Sequence, residues 1–246
     1  MSSIYLLYRN ILENSTVTVT NENTDYPKWR LHDRDTGKLF KGTSTVNHGI
    51  KADQGASLQY DVDTLIIPSG HNLSGGAQLD WEYSADDTNW YNMVTAWAGA
   101  AGMIVKEATY QNKRYWRLLL NSLAAIPEIP ELWMGEKTEL ADVVAWGYQE
   151  GLQGNVERID SLSGRQHFLV NGEDREYRNY TCKIYSSSVR DALEAFFSHS
   201  RGKPFYLKDL DGSWYFMSLV DPNVGPFDRP GLNRFDLQLE MIETLA

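Results

Sequence analysis

Cysteine is almost missing from this sequence: Cys182 is the only one among 246 residues. A single thiol excludes an intrachain disulfide and any metal site built from several cysteines. No cluster of basic side chains marks Cys182 as an activated nucleophile, so we interpret it as a buried structural thiol.

Long apolar runs are also missing. No stretch approaches the roughly 18 apolar residues that a membrane-spanning helix needs. The N-terminus, from Met1 to Arg9, has no basic segment and only a short apolar run, unlike a secretory signal peptide. We therefore expect a chain without a membrane span that is synthesised and folded in a cytoplasm.

Positive charge is in deficit. The chain has 23 Lys and Arg against 33 Asp and Glu, which gives a formal net charge of −10, and the acidic excess is spread over both halves. An acidic surface repels phosphate, so we expect no sequence-specific binding of nucleic acid. The hydrophobic content of 42% and the charged content of 23% are typical of a folded globular chain.

Histidine patterns that bind zinc or carry catalysis are absent from the sequence. No two histidines stand four residues apart, and no Gly-x-Ser-x-Gly elbow is present. A cluster of His32, Asp33 and Asp35 could still assemble, although a solvated polar turn is the simpler interpretation. The five histidines are His32, His48, His71, His167 and His199.

Two carboxylate pairs are candidates for glycoside chemistry, which needs two acids at a controlled separation in a cleft. Asp61 and Asp63 lie on one face of a predicted strand, and Asp86 and Asp87 lie in a predicted turn. Nothing in the sequence distinguishes these pairs from surface acids. We therefore expect no enzyme, no cofactor and no metal.

Alternating apolar residues and regularly spaced turn signals predict a β-sandwich for the first domain, residues 1–138. Residues 4–20 are predicted to form a strand, a turn and a second strand at 16–20, and further predicted strands cover residues 57–63, 65–67, 77–83, 115–120 and 131–134. Trp90, Tyr91 and Trp97 fall in or beside predicted loops, where aromatic rings can stack on sugars. Core packing of at least some of these three is the alternative.

The second domain, residues 139–246, is predicted to be α+β. Ser188 and Asp191 can cap a helix whose apolar stripe follows helical spacing, and Gly202 ends it. Residues 147–164 form a polar, glycine-marked stretch. The predicted strands cover residues 142–148, 165–170, 177–185, 204–207, 214–220 and 234–243.

Three stretches of the first domain resemble the discoidin, or coagulation factor 5/8 C-terminal, class of galactose-binding-like jelly-roll domains. They are the strand and turn from Leu79 to Trp90, the strand from Arg114 to Leu118, and the closing strand from Pro130 to Gly135. The resemblance implies a jelly roll over about residues 10–136. Asp87 departs from the pattern, because it stands where the family has a turn glycine. The family's ligand loops are its most variable part, so no ligand is carried over.

The second domain resembles the ring-forming domain of phage distal tail and minor tail proteins. The stretches that carry this resemblance are 188–197, 201–207, 214–217 and 235–241. The resemblance implies a β-sandwich flanked by one helix, a tail-tube-like fold that forms a hexameric ring. It also implies location in the virion tail, with the tail tube protein, a hub or baseplate protein and the tape measure protein as partners.

A ring must pair edge strands between subunits. We place those contacts on the strands around 177–185 and 205–220, with the stretch 147–164 as a hairpin that reaches a neighbour. The interface residues expected on these strands are Tyr177, Tyr180, Phe205 and Tyr215.

Three functions follow from the sequence. The first is a structural protein of a phage tail tip, which joins the tail tube to the hub or baseplate. The alternative is a carbohydrate-binding module that attaches to a host-surface glycan through Trp90, Tyr91 or Trp97. The third is an enzyme accessory or a small hydrolase.

Overall fold

The chain folds into two compact units. The jelly-roll unit is Arg9–Lys137, and the helix-containing unit is formed by Met1–Tyr8 together with Thr138–Leu245. The computed structural model describes residues 3–57, 59–140, 149–153, 156–160, 166–170, 175–184, 187–220 and 235–244.

The first strand of the chain, β1 (Tyr5–Leu7), belongs to the helix-containing unit. The sequence-based division assigns residues 1–8 to the first domain instead, and this assignment is corrected here. Leu6 lies opposite Leu207 on one side of β1 and opposite Thr138 on the other. These pairings join residues more than 130 positions apart, so no local pattern indicates them. The jelly-roll unit is therefore inserted after β1.

The jelly-roll unit consists of a five-stranded antiparallel sheet and a three-stranded antiparallel sheet around one core. Its strands are β2 (Thr16–Val19), β3 (Phe40–Lys41), β4 (His48–Asp53), β5 (Asp61–Ile67), β6 (Gln78–Ser84), β7 (Tyr91–Ala98), β8 (Ile104–Asn112), β9 (Tyr115–Asn121), β10 (Glu128–Ile129) and β11 (Trp133–Gly135). The strand orders are β2-β4-β9-β6-β7 and β11-β5-β8, and β10 pairs with β3.

Alternation along β6 and β9 builds this core. Leu79 and Trp81 from β6 meet Trp116 and Leu118 from β9, and all four side chains are fully buried. The neighbouring residues of both strands face away from the core. The predicted fold class, mainly β with a β-sandwich in the first half, is confirmed.

The helix-containing unit is one seven-stranded sheet with a helix, in the order β12-β1-β17-β18-β19-β16-β13. Strands β14 and β15 pair separately as a two-stranded sheet. The elements are β12 (Thr138–Glu139), β13 (Gln149–Gln153), β14 (Val156–Asp160), β15 (Gln166–Val170), β16 (Arg175–Ile184), α1 (Ser187–Ser200), β17 (Phe205–Lys208), β18 (Trp214–Leu219) and β19 (Phe235–Glu243).

The helix α1 packs its apolar stripe into the core of this unit. Leu193 and Phe196 are fully buried, and Phe196 meets the rings of Tyr8 and Phe205 edge-on, with centroid distances of 5.5 and 4.8 Å. The helix ends before Gly202, whose φ of +67° is the left-handed conformation that favours glycine after a helix. Among the described residues, the structure holds no helix with the length and apolar character that a membrane crossing requires.

The predicted strands 177–185 and 205–220 do form, but they lie inside the sheet. Strand β16 is paired with β19 and β13, and strands β17 and β18 are paired on both sides as well. Each of these strands therefore has a neighbour within the chain on both sides, which corrects the expectation that they pair across subunits. The predicted strand 142–148 lies outside the described residues.

Candidate functional site

A row of polar side chains crosses the outer face of the five-stranded sheet. Lys51 of β4 lies opposite Arg117 of β9, which lies opposite Glu82 of β6, and Asn92 of β7 follows in register. The residues that alternate with them, such as Trp116, are buried in the core. The row therefore faces away from the core.

Trp90 joins this row at the turn between β6 and β7. The guanidinium carbon of Arg117 lies 3.9 Å from the centroid of its ring, which is a close cation–π stack. The Arg117 guanidinium also pairs with the Glu82 carboxylate. We call Trp90, Arg117, Glu82, Lys51 and Asn92 the Trp90 platform.

The turn that precedes Trp90 is fixed by the carboxylate of Asp86. It accepts hydrogen bonds from the backbone N–H groups of Thr88 and Asn89 at 3.0 and 2.8 Å, and from the Asn89 side chain at 2.7 Å. Hydrogen bonds from Asn89 and Thr88 hold the pKa of Asp86 well below its usual value. The turn is therefore organised before any ligand arrives.

Asp87 occupies the left-handed position of this turn, with φ of +61°. This conformation explains why the discoidin class has a glycine at this position. Aspartate is one of the few other residues that tolerate it. Its carboxylate lies 2.7 Å from the Lys51 ammonium. Both cations of the Trp90 platform are therefore paired with carboxylates.

The three aromatic residues predicted to stack on sugars are not brought together. Trp90 lies on the outer face, whereas Tyr91 is 59% exposed and stacks on Tyr83, which packs against the core. Tyr91 is the first residue of strand β7, and Trp97 lies in the same strand, one residue before its end. Trp97 is half-buried against the core, with the Lys106 ammonium 5.0 Å from its ring centroid.

The four predicted interface residues differ in their burial. Tyr180 and Phe205 are fully buried in the core of the helix-containing unit, so neither can contact a second copy, and their assignment is corrected. Tyr177 and Tyr215 are half-buried. Tyr215 lies under the guanidinium of Arg178, whose central carbon is 4.5 Å from the ring centroid.

His32, Asp33 and Asp35 form a polar turn rather than a metal centre. The Asp33 carboxylate accepts the backbone N–H of Asp35, and Lys38 pairs with Asp35 at 2.6 Å. Burial lowers the pKa of His32. Within the described part of the chain, no three His, Cys, Asp or Glu side chains converge in a way that could hold a metal ion.

A buried carboxylate lies near that turn, and the sequence did not single it out. Glu131 is fully buried, and burial raises its pKa to about 8. It accepts the backbone N–H of Arg34 at 2.9 Å, and the Arg34 guanidinium pairs with Glu13 at 2.6 Å. These bonds connect the turn to Glu131, just before β11, and to Glu13 near the start of the unit.

The remaining candidates have structural partners. Asp61 accepts a hydrogen bond from the side chain of Asn112, and Asp63 accepts the backbone N–H of Lys137. Asp86 and Asp87 have the turn partners given above. The side chain of Cys182 lies outside the described part of the chain.

The sequence pattern does not single out Arg117, Glu82 and Lys51 as site residues. Glu82 and Arg117 occupy the polar positions of two alternating strands that the sequence does predict. Their opposite charges would suggest a pair once β6 and β9 are placed side by side. That placement is a tertiary property, because the two residues lie 35 positions apart.

A scan against protein-family models finds no match for this chain, and a search of curated proteins finds none either. Solved structures do match. The module CpGH89CBM32-6 of Clostridium perfringens is 20% identical with a TM-score of 0.44, over 52% of this chain and 99% of the module. Chitosan-binding module 2 of a chitosanase/glucanase from Paenibacillus sp. IK-5, in complex with chitotriose, is 11% identical with a TM-score of 0.45, over 52% and 100%.

A GH29 fucosidase of Ruminococcus gnavus, in complex with fucose, is 15% identical with a TM-score of 0.45. The match covers 53% of this chain but only 27% of the fucosidase. The comparisons give no support to the phage tail resemblance of the second half. For the first half, the structure shows the β-sandwich that the resemblance implies.

Proposed function

We propose that the jelly-roll unit binds a carbohydrate through the Trp90 platform, without catalysing its cleavage. The observation that carries the proposal is the stack of Arg117 on Trp90, at 3.9 Å, on a sheet face that points away from the core. An aromatic plane is thereby held beside planar hydrogen-bonding groups at the protein surface.

This arrangement suits the chemistry of a sugar ring. A pyranose has an apolar C–H face, which can cover an aromatic side chain, and a rim of hydroxyl groups. The Glu82 carboxylate can accept hydrogen bonds from hydroxyls, while Arg117 and Asn92 can donate them. The ion pair and the Asp86-centred turn restrict these groups before binding, which reduces the entropic cost of ordering them.

Equilibrium titration of oligosaccharides tests the proposal. We expect Trp90→Ala to weaken binding about tenfold or more, since loss of one stacking platform costs on the order of 1–3 kcal/mol. Arg117→Lys should also weaken binding, because lysine keeps the charge but loses the planar fork. Tyr110→Ala is the matched control, because Tyr110 is an aromatic residue 62% exposed on strand β8.

The titration also has an outcome that contradicts the proposal. If Tyr110→Ala reduces the affinity as much as Trp90→Ala, the loss reflects general damage to the unit rather than a site at Trp90. Circular dichroism of each variant would show whether the fold is retained.

A second candidate function is that of a structural protein at a phage tail tip, assembled as a hexameric ring between the tail tube and the hub or baseplate. One observation favours assembly of some kind: the terminal strand β13 of the seven-stranded sheet is exposed along its whole length. An exposed regular edge offers backbone groups to another chain.

Negative-stain images of the purified chain test this second function. Rings with a central hole, and a solution mass of six copies, would support it. Particles no larger than two copies, alone and after addition of tail tube protein, would count against it.

A further inference from the structure

A 3₁₀ helix, Lys28–Leu31, lies beside strand β3 in the jelly-roll unit. Its last residue, Leu31, is fully buried, and the Leu31 carbonyl accepts the backbone N–H of Leu132 at 2.8 Å. The two preceding residues reach the surface, because the Trp29 side chain is 47% exposed and Arg30 is half-buried. The helix therefore presents an indole and a guanidinium from a fixed base.

The Arg30 guanidinium lies against two aromatic rings. Its central carbon is 5.2 Å from the ring centroid of Tyr26 and 5.7 Å from that of Trp29. Its Nη1 atom donates a hydrogen bond to the Leu39 carbonyl at 3.1 Å. These contacts restrict the guanidinium before any ligand arrives, so little freedom remains to be lost on binding.

Arg30 also lacks the carboxylate partner that similar arginines have. In Arg34, Arg114 and Arg117 of the same unit, a guanidinium nitrogen lies within 2.7 Å of an Asp or Glu oxygen. Among the residues that the structure describes, no acidic side chain lies within 4 Å of the Arg30 guanidinium, and its Nη2 atom has no acceptor. A permanently charged donor is therefore available to an anion.

Two lysines stand beside the same rings, and both are already neutralised. Lys41 pairs with Glu128 at 2.8 Å, and Lys38 pairs with Asp35 at 2.6 Å. Their ammonium groups lie 4.7 and 5.9 Å from the centroids of the two rings that contact the guanidinium. The nearby acids are thus occupied by the lysines, and Arg30 keeps the uncompensated charge.

We propose that Tyr26, Trp29 and Arg30, together the Arg30 site, bind a sugar ring that carries a carboxylate. The carboxylate accepts charge-assisted hydrogen bonds from the Arg30 guanidinium, and the apolar face of the ring covers the exposed part of the Trp29 indole. The carboxylates of Asp35 and Glu128, which pair with the lysines beside the rings, can accept hydrogen bonds from ring hydroxyls.

A single acidic sugar fits this surface better than a polyanion. The site has one uncompensated guanidinium, and the carboxylates of Asp35 and Glu128 border it. In a chain with a net charge of −10, closely spaced phosphates would meet more repulsion than attraction. The Arg30 site shares no residue with the Trp90 platform, so the proposal does not depend on carbohydrate binding there.

Equilibrium titration with two matched trisaccharides tests the proposal. The probes are cellotriose and its uronate analogue, in which each hydroxymethyl group is oxidised to a carboxylate. We expect the parent chain to bind the uronate about tenfold more tightly or better, because only the uronate forms the charge-assisted hydrogen bonds. This preference should decrease as NaCl is added, since salt screens an exposed ion pair.

Arg30→Gln removes the charge and keeps an amide that can still donate to the Leu39 carbonyl, so we expect it to remove most of the preference for the uronate. Arg114→Gln is the matched control. The Arg114 guanidinium also lies over a ring, that of Tyr115 at 4.7 Å, but it is paired with Asp53. This control should leave the preference unchanged.

Equal affinities of the parent chain for the two trisaccharides would overturn the proposal, as would a preference that Arg30→Gln leaves intact. An equal loss in Arg114→Gln would also overturn it, because a general reduction of positive charge would then explain the result. The salt dependence needs no variant, and a preference that NaCl does not change contradicts the proposal even if a variant fails to fold. Because the readout is the difference between an acidic and a neutral sugar, failure of the Trp90 platform would not alter it.

Discussion

The two units of this chain leave different chemistry exposed on their β-sheets. In the jelly-roll unit, the terminal strand β7 carries two register shifts, and the exposed features are side chains on a sheet face. In the helix-containing unit, strand β13 pairs with β16 without a shift, and all five of its residues are exposed. A face with fixed polar and aromatic groups suits a small polar ligand, whereas an exposed, regular strand suits another strand.

The units also differ in how they bury arginine. The Arg34 guanidinium of the jelly-roll unit pairs with Glu13, and the Arg34 backbone N–H donates a hydrogen bond to Glu131. Arg178 of the helix-containing unit pairs with Asp209 at 3.0 Å and Glu176 at 2.7 Å. Burial strongly raises the pKa of Glu131, which lies beside Arg34. We therefore predict that the stability of the jelly-roll unit depends on pH.

The largest expected effect separates the stability of the two units. Trp116→Ala should reduce the free energy of unfolding of the jelly-roll unit by about 3–5 kcal/mol, because it removes a fully buried indole. Phe196→Ala should do the same in the helix-containing unit. Urea unfolding, followed by fluorescence and by proteolysis of each unit, measures the change.

Two cores of this kind predict that each variant lowers the transition of its own unit. A single transition that shifts equally in both variants would show that the units unfold together. That result would contradict the view that the two units have independently stable cores.

The next effect is a loss of stability as the pH rises. The ordinary pKa of 4.5 holds for Glu131 in the unfolded chain, and its pKa in the folded chain is about 8. Between these values the folded chain binds one more proton, so raising the pH favours unfolding, by on the order of a few kcal/mol in total. Glu131→Gln removes the titrating carboxyl group. The stability of this variant should therefore fall less than that of the parent chain between about pH 5 and about pH 8.

Urea titrations of the parent chain and of Glu131→Gln at both pH values check this prediction. Parallel losses of stability in the two proteins would mean that Glu131 is not the titrating group.

A smaller effect is expected at Asp87, beside the Trp90 platform. Asp87→Ala and Asp87→Gly both lose the ion pair to Lys51, so their difference isolates the backbone. Because φ is +61°, the alanine variant should be less stable by about 1 kcal/mol. Thermal unfolding of the two variants measures the difference, and equal midpoints would exclude a left-handed turn.

Local patterns were sufficient for much of this fold. The alternation in β6 and β9 and the apolar stripe of α1 are short-range signals, and each predicts the element that forms. Strand β7 was missed because its register shifts break the alternation of buried and exposed residues. Strand β1 was assigned to the wrong unit because its partners lie near the far end of the chain.

The candidate site was predicted only in part, for the same physical reason. Trp90 was identified from its position after a turn. Its role in the site depends on Arg117, whose guanidinium stacks on it from another strand. Such a stack depends on sheet order, which the sequence of one strand does not contain. Tyr180 and Phe205 were assigned to the wrong surface because the sequence of a strand does not show whether an aromatic residue lies on a buried or an exposed face of the sheet.

The most direct test of the account is a glycan array probed side by side with the parent chain and the Trp90→Ala variant. We predict that the parent chain binds a defined subset of glycans and that this binding is lost in the variant. Binding that survives unchanged in Trp90→Ala, or a parent chain that binds no glycan on the array, would contradict a carbohydrate site on the Trp90 platform.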